Sequence, residues 1–296
     1  MPEIVVVGEA LVEIARDRSE FPGGSSANVA MALGRLGHVV LFRTALGNDH
    51  HGELIRSWLA SSNVHISESG LSKTSTVSQG VVTLGDPSWH GDLTWTLDEA
   101  SIPSSSAVHV GSIGAWYPPG TWRVEALLER ARTTSTISFD PAIRPGVIRN
   151  PDDVRMRVGR ILRLSDVVKV SDVDLFWLRP EESMRQVARE WLGEGVALVV
   201  VTLGAAGAVA YTREHEVQIP GTTVKVVDAR GPVIALWPHC CRCLLAPACL
   251  VPTGGERLAH LSADRLRAIL TGAANAAAIS VARRGFDPPW ANELPI

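Results

Sequence analysis

Short runs of consecutive apolar, β-branched residues recur along the chain, with stretches of helical periodicity between them. Ile4–Val7 is the first such run and ends at Gly8. Ser25–Leu36 places Val29, Ala32, Leu33 and Leu36 at helical spacing and stops at Gly37, the usual C-terminal signal. Val39–Thr44 predicts the next strand and Gly52–Leu59 the next helix. From Ala107 onward the apolar runs Val108–Val110, Thr136–Phe139, Val167–Val170 and Leu198–Thr202 alternate with helical segments, and Leu261–Ala282 closes the series. Alternation of this kind predicts a mainly parallel sheet covered by helices on both faces. Thr74–Leu97 differs. Val77, Gln79, Val81, Thr83 and then Leu93, Trp95, Leu97 alternate around Gly85-Asp86-Pro87, which predicts an exposed hairpin.

Composition narrows the class. The 296 residues are 46% hydrophobic and 20% charged, enough apolar material for a sizeable core. A net charge of −3 gives no basic surface for nucleic acid or anionic lipid. No apolar run approaches the ~20 residues that span a bilayer, and the N-terminus does not read as a signal peptide, so a cytoplasmic protein is expected. All four cysteines, Cys240, Cys241, Cys243 and Cys249, crowd one segment. A disulfide framework spreads its cysteines over the fold, so the cluster marks either a metal site or a segment of different origin.

Candidate chemistry gathers at glycine-led turns. Gly23-Gly24-Ser25-Ser26-Ala27-Asn28 runs into a helix start. Bare backbone there can approach a ligand, and Asn28 offers donor and acceptor; an ordinary helix start capped by Ser25 or Ser26 is the alternative. Asp140-Pro141 reads by itself as a strand-ending turn, Asp174 as an acid in a first helical turn, and Thr202-Leu203-Gly204-Ala205-Ala206-Gly207 as a tight loop between two strands. Near the end, Gly272-Ala273-Ala274-Asn275 lies in the last helical stretch.

In their order these pieces resemble the ribokinase/PfkB family of carbohydrate kinases. Gly23, Gly24, Asn28, Ala30, Leu33 and Arg35-Leu36-Gly37 match its first signature. Gly8-Glu9-Ala10-Leu11-Val12-Glu13 resembles the first strand and sugar-binding turn of fructokinase-like members, with Glu13 where Asp is usual. Asp140-Pro141-Ala142-Ile143-Arg144-Pro145 resembles Asp-Pro-Asn-x-Arg-Pro, with Ala142 replacing Asn. Lys169-Val170-Ser171-Asp172-Val173-Asp174 resembles the element that organises Mg²⁺ and water around the phosphates.

The resemblance implies one domain, residues 1–296, with a three-layer α/β/α fold, a mainly parallel central sheet and a small β lid from about 13–21 and 74–97. It implies that Glu13, Gly23, Gly24, Asn28 and Arg144 bind a monosaccharide. Lys169, Ser171, Thr202, Gly204, Gly207 and Asn275 would bind ATP, with Mg²⁺ at Asp174. A monovalent cation and a homodimer through lid edges are compatible with it. The implied activity is transfer of the ATP γ-phosphate to a hydroxyl of a fructose-like sugar.

The family's second signature is a Gly-Ala-Gly-Asp run after Val-Asp, whose N–H groups form an anion hole and whose Asp takes the sugar proton. Here Val227-Asp228-Ala229-Arg230-Gly231 starts in step, and Pro232-Val233-Ile234 follows. Gly231 and Ile234 hold the catalytic positions, Ile234 cannot accept a proton, and Pro232 removes an N–H. Such a base is typically worth ~10²–10⁴-fold in rate. Back-translated and read from the third base of the Gly231 codon, the chain permits Ala-Gly-Asp-Ser-Phe-Met. The same frame then forces Ala from Trp237-Pro238 and two Leu from His239, Cys240 and Cys241. A local frameshift corrected before Leu258 is therefore expected. The alternatives are a catalytically dead sugar- or nucleotide-binding protein and a metal-binding module from His239 and the cysteines. Adjacent Cys240-Cys241 with Cys243 lacks the Cys-x₂₋₄-Cys spacing of structural zinc.

Overall fold

The computed structural model describes residues 3–15, 17–78, 90–98, 102–222, 224–225, 254–283 and 286–294. Strands β1 (Ile4–Val7), β2 (Leu11–Ile14) and β3 (Glu20–Gly23) lead into α1 (Ser25–Arg35), β4 (Val40–Gly47), α2 (His50–Ala60) and β5 (Val64–Leu71). Short strands β6 (Thr76–Ser78) and β7 (His90–Asp92) follow, then β8 (Ala107–Gly111), α3 (Ser112–Trp116), α4 (Gly120–Ala131) and β9 (Thr136–Asp140). The alternation continues through α5 (Pro151–Leu162), β10 (Val167–Ser171), α6 (Asp172–Leu178), α7 (Met184–Gly193) and β11 (Leu198–Thr202). The hairpin β12 (Ala208–Tyr211) and β13 (Glu216–Ile219), then α8 (Gly254–Ala259) and α9 (Ala263–Val281), complete the strands and α-helices among the described residues.

Nine strands form one sheet in the order β13-β12-β11-β10-β9-β8-β1-β4-β5. Neighbours from β5 to β11 are parallel, whereas β12 and β13 pair antiparallel. The alternation of side chains explains why the parallel strands are apolar throughout. Ile4 and Val6 pack with α1, α2 and α9 on one face, while Val5 and Val7 pack with α3, α4 and α5 on the other. On β11, Leu198 and Val200 join the first layer and Val199 and Val201 pack against α7. A second, four-stranded sheet, β3-β2-β6-β7, is built from the segments of the expected lid.

The Thr74–Leu97 expectation needs correcting. Only β6 and β7 pair antiparallel, residues 79–89, including the expected turn, lie outside the described residues, and Trp95 and Leu97 are buried in the core. Gly120 makes room for Trp95, since a Cβ there would stand 2.1 Å from the indole nitrogen. The glycine turn does join two strands, β11 and β12; β13, which completes a hairpin with β12, has no clear sequence signal because its alternation is short.

Gly34, near the end of α1, faces the carbonyl of Ser62 so closely that an added Cβ would lie 2.1 Å from it. Helix propensity favours Ala over Gly by ~1 kcal/mol, but overpacking against backbone costs about 1–3 kcal/mol. Gly34→Ala is therefore expected to lower the denaturant midpoint. An unchanged or higher midpoint would contradict this close approach.

Candidate active site

Parallel strands β1, β8, β9, β10 and β11 all finish at one edge of the sheet, where ligands bind in open α/β folds. β1 runs through Gly8 and Glu9 into the lid strands, and β3 returns through Gly23 and Gly24 to α1. Gly24 has φ +102°, and a Cβ there would meet the Glu9 carbonyl at 2.9 Å. Leu11 pairs with Gly23 and Glu13 with Phe21. A Cβ at Gly23 would stand 3.4 Å from Glu13 Oε1, so the glycine backbone and this carboxylate are neighbours. One turn into α1, Asn28 is buried and its side-chain oxygen finds no donor among the described residues.

The middle of the edge is charged and dry. Lys169 is wholly enclosed and donates to Asp140 Oδ2 at 2.9 Å. Asp140 Oδ1 accepts from the Ala142 amide at 3.2 Å, and Asp174 Oδ1 from the Ile143 amide at 3.0 Å. Burial raises the Asp174 carboxyl above the usual range, opposed by the Lys169 and Arg144 charges and reinforced by Asp140. Burial raises the Glu9 carboxyl above the usual range, opposed by the Gly114 amide and by the Arg144 charge; the Arg144 guanidinium itself donates to the Ile143 carbonyl at 3.1 Å. His109, on β8, is buried with Nδ1 3.0 Å from Ser138 Oγ. Burial, with Lys169 nearby, pushes it down to about 3, so it is neutral.

On the far side, Ser171 caps α6 by accepting the Asp174 amide at 2.9 Å and pairs across the sheet with Thr202. The buried Thr202 hydroxyl has no described partner. Gly204 and Gly207 turn the chain with φ +56° and +103°. A Cβ at Gly207 would lie 2.1 Å from the Ile219 carbonyl, which makes this glycine obligatory. Asn275 is half-buried on α9, the helix that packs on β12 and β13.

Most predicted residues thus fall into two groups on one edge. Glu13, Gly23, Gly24 and Asn28 gather around the β3–α1 turn. Arg144, Ser171, Asp174, Thr202, Gly204 and Gly207 gather at the ends of β9 to β11. Ser26 Oγ, 3.4 Å from the Gly111 carbonyl, links the two through the β8–β9 pairing. Asn275 stands apart on α9, and Lys169, an ammonium with no exposed surface, reaches a ligand only through Asp140 and Asp174. Gly231, Ile234 and the cysteines lie outside the described residues, and no cluster of three metal-ligating side chains occurs among the described ones. Sequence reasoning overlooked Glu9. A charged residue directly after an all-buried strand was the available signal. An open groove of about 540 Å³, lined by Arg35, Trp290 and Glu293, lies at the other end of α1.

Ala142 carries φ +37° in a buried turn, a conformation that costs an L-residue ~1–2 kcal/mol. Glycine relieves that strain and gives back ~0.4–1 kcal/mol through the unfolded chain. Ala142→Gly is expected to raise the unfolding free energy by about 0.5–1 kcal/mol. A lower value in urea titration would contradict the strained turn.

Similarity to known proteins follows the same geometry. The family described as pfkB family carbohydrate kinase matches residues 1–231. A fructokinase of Rhizobium leguminosarum bv. trifolii is 35% identical over 245 residues, covering 77% of this chain and 75% of that protein. A fructokinase of Klebsiella pneumoniae is 31% identical over 248 residues, covering 77% and 80%. Among solved structures, fructokinase from Vibrio cholerae O395 in a fructose, ADP and calcium ion bound form superposes with a TM-score of 0.81 at 26% identity, covering 96% of this chain and 94% of that one. Fructokinase with bound ATP from Xylella fastidiosa shares the fold with a TM-score of 0.85 at 22% identity, over 100% and 96%. With residues 1–231 matched by the family and the glycine turns standing at one sheet edge, this chain belongs to the pfkB family of carbohydrate kinases.

Proposed function

We propose that this chain is an ATP-dependent kinase moving the γ-phosphoryl group to a hydroxyl of fructose or a close analogue. The observation that carries this is the Asn28 side-chain oxygen, buried without a donor one turn after Gly24. An unsatisfied buried acceptor costs ~1–3 kcal/mol, and a sugar hydroxyl is a donor of the right kind. The similarity to the Rhizobium fructokinase supports fructose as that sugar, and the Vibrio cholerae fructokinase is described with fructose and ADP bound. Every relative named above is a fructokinase, so a binding role without turnover has no support among them.

In this reading Glu13, the Gly23–Gly24 backbone, Asn28 and Arg144 hold the sugar. Ser171, Thr202, Gly204, Gly207 and Asn275 hold the nucleotide, and Lys169 acts through Asp140. Asp174 fits Mg²⁺ by its chemistry: a carboxylate oxygen is the ligand a hard cation takes, and this one stands at the strand ends, where the Ile143 amide holds it. Such a cation would offset phosphate charge. In the transfer, the sugar oxygen bonds to the γ-phosphorus, the bond from that phosphorus to the ADP oxygen breaks, and the hydroxyl proton passes to a base. A lid of β2, β3, β6 and β7 would keep water from competing with the sugar. The monovalent cation and the homodimer belong to the same reading.

Ile234 cannot be the base. The family match ends at residue 231, and the alternative frame begins at the third base of that same codon. We propose that the residues from Pro232 to the region before Leu258 are a shifted reading of a Gly-Ala-Gly-Asp helix. Sequencing the coding DNA is expected to reveal the inserted or deleted bases that shift the frame and later restore it; an uninterrupted frame encoding Pro232-Val233-Ile234 would overturn this. A chain with the alternative reading restored is expected to release ADP in a fructose-dependent manner at least ~10²-fold faster than the chain carrying Ile234. Equal turnover by both would remove position 234 from the chemistry, and turnover with other sugars alone would remove fructose.

A further inference from the structure

Helix α1 begins without a cap of its own. Its N-cap residue is Gly24, which has no side chain, and its first turn holds no acidic residue. The missing acceptor comes from outside the helix. Glu9, 5% exposed, accepts the Ser25 amide on Oε1 at 2.9 Å. On Oε2 it accepts the Ser26 hydroxyl at 3.2 Å and the Gly114 amide at 2.8 Å. The Gly114 peptide is gripped from its other end too, because the Trp95 indole N–H donates to its carbonyl at 2.9 Å. One carboxylate therefore joins the turn after β1, the N-terminus of α1 and helix α3, and the Gly114 peptide passes the connection to the segment returning from the lid. The packing leaves no slack. A Cβ at Gly8 would lie 1.9 Å from Ser26 Oγ, and one at Gly114 would lie 2.5 Å from the Gly8 Cα.

We infer that Glu9 is a positioning residue for the sugar: it sets the start of α1, and with it the Gly24 backbone and the Asn28 oxygen, against the floor of the cleft. A carboxylate suits this place for a chemical reason. All three groups facing it are donors, so an amide in its stead would turn an N–H toward at least one of them. Because the Glu9 carboxyl already takes the Ser25 amide and the Ser26 hydroxyl at this helix terminus, those donors are not open to phosphate, which such termini otherwise attract, and the turn is matched to an uncharged polyol. Glu9 touches no reacting atom and acts through Ser25, Ser26 and Gly114.

The test uses the full chain as it stands, with Glu9→Gln as the first variant and Trp95→Phe as the second. In the ligand-free protein, Glu9→Gln is expected to speed amide hydrogen exchange at residues 25–28 and 113–116 and leave residues 198–211 unchanged. By calorimetry it is expected to weaken fructose binding about ten- to a hundredfold while ADP affinity changes less than about twofold. A general structural role would move both ligands together. Should Glu9→Gln fail to fold, Trp95→Phe, which removes the indole N–H, is expected to raise exchange at 113–116 and weaken fructose binding about two- to fivefold. A folded Glu9→Gln with native exchange at 25–28, equal losses for fructose and ADP, or a Trp95→Phe identical to the native protein in both measurements would each overturn the proposal. The fructose arm rests on the sugar-kinase reading. If the native chain binds no sugar, that reading falls, while the exchange pattern still decides what Glu9 does.

Discussion

Lys169 has no surface in contact with solvent, and its ammonium depends on Asp140. Breaking such a pair by removing one partner typically costs ~3–5 kcal/mol, so the ends of β9 and β10 cannot separate without exposing a buried charge. The consequences spread from there. Asp140 also holds the turn at Ala142, the next amide along reaches Asp174, and Arg144 emerges beside both. The geometry of the charged middle of the sheet edge follows from one buried ion pair.

Two other devices complete that edge, each using backbone where a side chain would obstruct. Around α1, Gly8, Gly24 and Gly114 let three chain segments meet at the Glu9 carboxylate. Beyond β11, Gly204 and Gly207 turn the chain back into β12 without filling the space above Thr202. The lid is anchored in a similar way. Asp49 caps α2 and binds Thr74 through both its amide and its hydroxyl, at 2.8 and 2.7 Å. Burial alone would raise the Asp49 carboxyl, yet these hydrogen bonds hold it at about 2. The sheet edge and the lid entry are thus joined by polar contacts, while Val12 of β2 and, beside it, Ile14 pack into the core formed with α1 and α2.

Much of this was legible in the sequence, and the reasons differ by element. Strands β8 to β11 could be read because burial on both faces makes them continuously apolar, and α1 because Gly37 ends it with φ +93°. The glycine turns stood out because few other residues fit them. What remained hidden were contacts between distant segments. Nothing in Gly8-Glu9-Ala10 announces that Glu9 meets Gly114, and alternation alone assigned Trp95 and Leu97 to an exposed hairpin when the hole left by Gly120 takes the indole inside. Lys169 looked like a nucleotide ligand by its place in a motif, whereas its partner lies on the neighbouring strand. Periodicity reports which face a side chain takes, not what it meets there.

The account depends on the β3–α1 turn and the Gly204–Gly207 turn opening into one crevice. The most direct measurement is a crystal structure of the chain with fructose and a non-hydrolysable ATP analogue. The account predicts a sugar hydroxyl donating to Asn28 Oδ1, with the analogue's phosphates lying between Thr202 and Asp174 and pointing at that sugar. Fructose absent from the Asn28 side of the edge, or a nucleotide seated away from the ends of β10 and β11, would contradict it.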